Sequence, residues 1–327
     1  MDIKFSGDWY GRLGNNIISL INVIALAELT SSKITFDISH NILDIDKLNI
    51  NFIKNNTQND NQNNMVNVNP LVCYHLLGDQ FNNFKKIIYK MHPTIAKKYI
   101  LPIIKTIETE NINYDETLII HIRGGDIFNK YPHHDYVQPP LQYYERILDS
   151  SNYSKIIIIS EDDKNPCIDV LIKKYKNVVL QNNSLLYDVN LMLKAKYIVA
   201  SNSTLIYSIL IMSNNIKKIY YNSFLPIIEL NNVSIFTYDF VDYIKYGEWK
   251  NSPEQINLML NFPHRNIKRI FVETENKNIV ENMTSTKKHS KYKKIIFFVF
   301  FLIFFYFFIF CLKICSNNKK QSMSKQK

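Results

Sequence analysis

The chain of 327 residues has only four cysteines. Cys73, Cys167, Cys311 and Cys315 form no CxxC pair and have no histidine at metal-ligand spacing, which argues against a disulfide framework or a zinc site. Its first residues, MDIKFSGDWY, contain no basic segment followed by an apolar run, so no secretory signal is expected. There is no internal repeat, and no complete GxGxxG or Walker sequence. From residue 287 onward there are ten lysines and no acidic residue. The remaining twenty-nine basic residues face twenty-nine acidic ones, so residues 1–286 are formally neutral and the net charge of +10 belongs to the tail. That balance gives no reason to expect a nucleic-acid partner, which would need a basic face on the folded part.

One stretch lacks charge, glycine and proline altogether. Residues 295–312 read IIFFVFFLIFFYFFIFCL, and 18 residues of helix span ~27 Å, enough to cross a hydrocarbon core. A helix with no polar face does not suit a soluble surface. The expectation is a single-pass membrane protein with a C-terminal anchor, a basic linker at 275–294, a basic tail at 313–327 and contact with anionic lipid headgroups. Cys311 and Cys315 lie at the membrane border, where a plain apolar role competes with acylation. With so short a tail, the domain ahead of the anchor is expected in the cytosol, although basic residues flank both ends of the helix. Six Asn-x-Ser/Thr sequons, at Asn55, Asn152, Asn182, Asn202, Asn232 and Asn282, do not fix the compartment in so Asn-rich a chain.

Ahead of the anchor, β-rich runs alternate with helical patterns, the order that builds parallel sheets with helices on both faces. The runs predict strands at 3–6, 33–36, 117–122, 155–160, 177–180, 197–200 and 218–221. Helices are predicted at 16–29, 81–90, 140–148, 168–174, 185–194 and 204–212. Residues 55–69, NNTQNDNQNNMVNVN, are too polar to contribute core and read as a surface loop. The stretch 117–221 looks like one complete nucleotide-binding half. This divides the chain into a first α/β domain at 1–112 and a second at 113–274.

Four segments sit where such a sheet binds ligands, at strand ends. Gly11-Arg12-Leu13-Gly14-Asn15-Asn16 joins a strand to the first long helix, where glycines allow close backbone approach. A tight turn capped by Asn explains the same residues equally well. His121-Ile122-Arg123-Gly124-Gly125-Asp126 ends the strand TLIIHI, and a strand-end arginine is a bidentate donor for a diphosphate; an Arg123 to Asp126 ion pair steadying a turn is the plainer alternative. Ser201-Asn202-Ser203-Thr204 places hydroxyls and free N–H groups at a helix start. Ser160-Glu161-Asp162-Asp163 offers carboxylates to a base or ribose, to a capped turn, or to a divalent metal.

Taken in order, these motifs resemble the α1,2-fucosyltransferase family. GRLGNN resembles its Gly-Gly-Leu-Gly-Asn-Gln signature, and HIRGGD its HIRRGD motif. YVQPPLQYYERIL, ISEDD and LMLKAKYIVASNST are similar to its tyrosine-rich helix, its strand-end acidic motif and its Asn-Ser-Ser segment. The likeness covers roughly residues 3–222. It implies two Rossmann-like domains of GT-B type, GDP-fucose as donor, a glycan hydroxyl as acceptor, inversion at the anomeric carbon and no metal cofactor. By position, Arg123 would hold the β-phosphate, with Asn202, Ser203 and Thr204 beside the phosphates. His121 and Asp126 would shape that loop, Asp162 or Asp163 would contact the nucleoside, and Gly11, Gly14 and Asn15 would line the cleft. Asp126, Asp135 and Asp8 are candidates for the base. Two departures stand out: Gly124 replaces the second arginine, and Leu205, Ile206 and Tyr207 replace an aromatic pair. They motivate an alternative, a degenerate transferase fold that binds glycan or nucleotide at a membrane. A further alternative is a metal-dependent transferase with another nucleotide sugar.

Overall fold

A computed structural model describes residues 2–48, 50–52 and 65–270. The predicted anchor at 295–312, its linker and its tail lie outside the described residues. Among the described residues no helix is long and apolar enough to cross a membrane.

The chain begins with strand β1 (Asp2–Ser6), helix α1 (Leu13–Leu29), β2 (Lys33–Asp37), β3 (Ile50–Asn51) and β4 (Met65–Val68). Their sheet has the order β3-β2-β1-β4, with β1 parallel to both β2 and β4. Strand β4 corrects the reading of 55–69 as one polar loop. Its MVNV alternates outward Met65 and Asn67 with inward Val66 and Val68, and a one-sided edge strand needs no more apolar surface than that. Asn69 then accepts a hydrogen bond from the Val72 N–H at 2.9 Å, capping α2 (Pro70–His75). Two further helices follow, α3 (Asp79–Asn82) and α4 (Lys85–Ile95), the latter continuing as a π-turn, Ala96–Ile100.

The second sheet is built from β5 (Thr117–His121), β6 (Lys155–Ile159), β7 (Val178–Gln181), β8 (Tyr197–Val199), β9 (Lys218–Asn222), β10 (Ser234–Phe240) and β11 (Ile267–Ile270). Between them run α5 (Leu141–Asp149), α6 (Pro166–Lys174), α7 (Leu185–Lys194), α8 (Thr204–Met212) and α9 (Pro253–Leu260). The order is β11-β10-β9-β8-β5-β6-β7, parallel throughout except for the antiparallel edge strand β11. The chain first winds outward from β5 through β6 to β7, then returns to β8 and winds the other way. The turning point of a doubly wound sheet therefore falls between β5 and β8. Strand β5 is buried along its whole length, which explains why it reads as a continuous apolar run.

Of two hydrophobic core clusters among the described residues, one runs under both sheets and the other packs the opposite face of the second sheet. The first joins Ile3 and Phe5 of β1 to Ile119 of β5, Ile157 of β6 and Ile198 of β8. Helix α1 supplies the join, packing against α2, α4 and α8, and the described residues cluster as one compact unit. A buried polar network crosses that join. Asn22 of α1 donates to the Cys73 carbonyl at 2.9 Å and accepts from His92 Nε2 at 2.8 Å. With Nε2 donating, Nδ1 accepts, and the Tyr207 hydroxyl lies 3.0 Å from it. Burial pushes the His92 pKa down to about 4, so the ring stays neutral in the fold.

The unfolded chain binds a proton at His92 below about 6.5 and the folded chain does not, so stability is full above that pH and falls as pH drops toward 4. Each pH unit of that window costs ~1.4 kcal/mol. Urea midpoints measured from pH 7 to pH 4.5 should therefore fall, and fall less steeply in His92→Gln. Equal slopes in the two proteins would show that His92 is not the titrating group.

Candidate functional site

The site forms at the turning point of the second sheet, where β5 and β8 end side by side. His121, the last residue of β5, is buried with Nδ1 2.7 Å from the hydroxyl of Ser201, just beyond β8. Burial first, and the charge of Arg123 second, push its pKa down to about 3. This neutral pair clamps the two strand ends together.

Arg123 follows at once. Its guanidinium lies over the Tyr136 ring, 3.7 Å from the centroid. One Nη donates to Asp126 at 3.3 Å, while the buried Nε has no hydrogen-bond partner among the described residues. The side chain is 11 % exposed, so it is held by the fold yet open at its tip. Asn165 donates to the Arg123 carbonyl at 3.0 Å and caps α6 by accepting from the Cys167 N–H at 3.1 Å.

The glycines after Arg123 are explained by what presses on them. Gly125 has a φ of +72°, and a Cβ there would meet the Glu161 carboxylate at 2.2 Å. A Cβ at Gly124 would lie 2.2 Å from Asp162 Oδ1 and 3.1 Å from the Ser160 hydroxyl. Asp162 cannot easily give way, because it accepts from the Gly125 N–H at 2.9 Å and the Lys164 N–H at 3.2 Å. Asp162, expected at the nucleoside, is thus found bracing the loop, while Asp163 is exposed.

A second arginine reaches the same loop from the first sheet. Arg12 follows β1 and pairs with Glu161, and its other Nη lies 3.3 Å from Asp126. The sequence showed Arg12 inside a motif without assigning it a role; a long cation between two glycines at a strand end was the available signal. Asp126 therefore faces two guanidiniums.

Gly11 is exposed in the turn with a φ of +69°. Gly14 lies in the crossing of α1 and α8, where a Cβ would meet the Leu205 backbone N at 2.4 Å. Beside it, Asn15 accepts from the Thr204 hydroxyl at 2.7 Å. The starts of both helices are thereby locked together, with Arg12 above Gly14. Ser203 caps α8 through the Leu205 N–H at 3.2 Å. Asn202 donates to the carbonyls of Asp135 and Val137 at 3.0 and 3.1 Å and so holds the loop that carries Tyr136. Asp135 is partly exposed and Asp8 exposed.

Aromatic rings cluster beside the loop that carries Tyr136. Tyr10, Tyr74 and His75 of the first half have centroids 4.8 to 5.3 Å apart. Burial and the neighbouring Tyr136 push the Tyr74 phenol well up, so the ring cluster continues onto the second half. Tyr136, Asn165 and Gln138, which donates to the Asn202 carbonyl at 3.1 Å, are positioning residues that sequence reading passed over. A separate open cavity of about 450 Å³ is lined by Arg146, Asp149, Ser150, His264, Arg265 and Ile267, of which Arg146 alone belongs to a motif segment, the tyrosine-rich helix.

No protein-family model and no curated protein matches this chain. Among solved structures it is similar to E. coli heptosyltransferase WaaC with ADP-2-deoxy-2-fluoro heptose, at 10% identity and a TM-score of 0.36, covering 79% of this chain and 98% of that one. It is also similar to the same enzyme with ADP, at 9% identity and a TM-score of 0.34, covering 79% and 96%.

Proposed function

We propose that this protein is a glycosyltransferase of the GT-B type, which transfers a sugar, fucose from GDP-fucose by motif resemblance, to a glycan hydroxyl with inversion. The observation that carries the reading is the convergence of Arg123 and Arg12, from the two sheets, on one loop at the turning point of the second sheet. A nucleotide-sugar diphosphate would be taken up between these guanidiniums, displacing Asp126 and Glu161 from them. As the acceptor oxygen attacks the anomeric carbon, the bond from that carbon to the β-phosphate oxygen breaks. Negative charge grows on the phosphate and is met by two preorganised cations.

In this reading Arg12 does the work of the second arginine that Gly124 lacks. Asp126 is the resting counter-ion of both arginines and not the base. Asp135, on the loop that holds Tyr136 under Arg123, is the better-placed carboxylate for accepting the acceptor's proton. Of the acidic triplet, Asp162 is held by the loop through the Gly125 N–H, and in this reading the donor's charge is met by the two arginines and not by a metal.

The test is transfer and donor hydrolysis by the full chain with labelled nucleotide sugars, GDP-fucose among them. Turnover of one donor is expected; tight binding without turnover of any would favour the binding-protein reading. Arg12→Ala is expected to weaken GDP binding about tenfold, the worth of one charge-assisted contact, with little change in melting temperature. Unchanged affinity with lost stability would make Arg12 only a strut between the sheets.

A further inference from the structure

The neutral total of residues 1–286 conceals a segregated charge. Residues 80–107 contain six lysines and no aspartate or glutamate. Five of them, Lys85, Lys86, Lys90, Lys97 and Lys98, belong to α4 and its π-turn. Ile88, His92 and Ile95 face the core. Lys86, Lys90 and Lys97, spaced four and seven apart, therefore share the opposite face, and all three are exposed. None of the three forms an ion pair among the described residues. Lys98 lies 4.8 Å from the Tyr99 ring and is influenced only weakly by Glu28.

The lysine row is not purely polar. Ile87 is 47 % exposed and Tyr89 56 % exposed, one on each side of it. Large apolar side chains alternating with unpaired lysines on one helical face match an anionic bilayer surface. There the ammonium groups meet headgroup phosphates and carboxylates, while Ile87 and Tyr89 enter the acyl boundary. A nucleic-acid backbone would satisfy the lysines but leave Ile87 in water.

We infer that α4 and its π-turn form a docking face for an anionic lipid surface, holding the folded part against the membrane in a fixed orientation. This inference is independent of the nucleotide-sugar reading, since no residue of the arginine site takes part.

The experiment is lysine acylation mapped by mass spectrometry on the full chain mixed with vesicles. Phosphatidylcholine vesicles are compared with vesicles that also contain phosphatidylserine. Any insertion of the apolar segment 295–312 is common to both, and the ten lysines from 287 onward favour the anionic vesicles wherever the folded part lies, so the docking face is reported by the contrast between lysines within the folded part. Labelling of Lys86, Lys90 and Lys97 is expected to slow about fivefold on the anionic vesicles, because each lysine is drawn to the charged leaflet. Lys173, exposed on α6, should be unaffected. The protection should vanish in salt that shortens the Debye length to ~3 Å. Equal labelling on both vesicles would overturn the proposal. So would equal protection of the same lysines by polyuridylate without vesicles, which would reassign the face to nucleic acid. Ile87→Ala with Tyr89→Ala removes two half-exposed side chains, Tyr89 giving up its contact with the His92 ring, and it should reduce the protection at least by half with the fold retained by circular dichroism; full protection in that variant would overturn the bilayer assignment.

Discussion

Arg123→Ala is expected to lower sugar transfer about a thousandfold, the upper range for removing one donor aimed at charge developing in a transition state. The same variant should lose nucleoside-diphosphate binding while keeping its melting temperature, because Asp126 retains Arg12 as a partner 3.3 Å away. Arg123→Lys should recover little. An ammonium cannot lie flat on the Tyr136 ring or offer two parallel N–H groups to a phosphate. Tyr136→Leu, which removes the ring but spares Arg123, should lower kcat while changing the apparent KM less. Calorimetric titration with GDP and initial rates together separate these outcomes. Full activity in Arg123→Ala would remove the central assignment.

Gly14→Val is expected to destabilise the fold more than any single surface change. A Cβ at this position would overlap backbone atoms of α8, with Thr204 C at 2.6 Å and Leu205 N at 2.4 Å. Neither can swing aside as a side chain would, so the helices must separate. Overpacking of this kind costs ~1–3 kcal/mol or more, and here it also breaks the Asn15 to Thr204 bond at 2.7 Å. A fall in melting temperature of about 5–10 °C follows for a chain of this size. Gly14→Ala should show a smaller fall in the same direction. Thermal unfolding followed by circular dichroism is the measurement. A melting temperature within 1 °C of the parent, ~0.3 kcal/mol or less, would mean that the crossing is looser than its geometry.

Much of the fold was readable because its signals are local. Continuous apolar runs such as TLIIHI and KIIII are buried on both faces, and each precedes a helical pattern, which is what a parallel sheet requires. Strand β10 escaped because SIFTYDF is half-buried over most of its length and follows a stretch of loosening pattern. Helices α2 and α9 escaped although each carries a legible start, Asn69-Pro70 and Ser252-Pro253, a capping residue before a proline. At the candidate site, the sequence placed Arg123 and Asn202 just beyond apolar strands, and the structure has them beyond β5 and β8. It did not reveal their partners. The pairing of Arg12 with Glu161 spans 149 positions, and only the topology brings them together. Gly124, which reads as a lost arginine, is in the structure a position with little room beside Asp162.

The core shared by both sheets constrains how the molecule can work as a machine. Two lobes with separate interiors can rock about a hinge, but lobes that share Ile3, Ile119 and Ile198 in one interior would have to tear apolar contacts to do so. If the proposed donor is taken up between Arg12 and Arg123, its entry would be accommodated by exchange of side-chain partners around them, at the pace of rotamer changes and loop motions. The same sharing ties inheritance to architecture: neither half can be recombined with a foreign partner without bringing along the matching faces of α1 and α8.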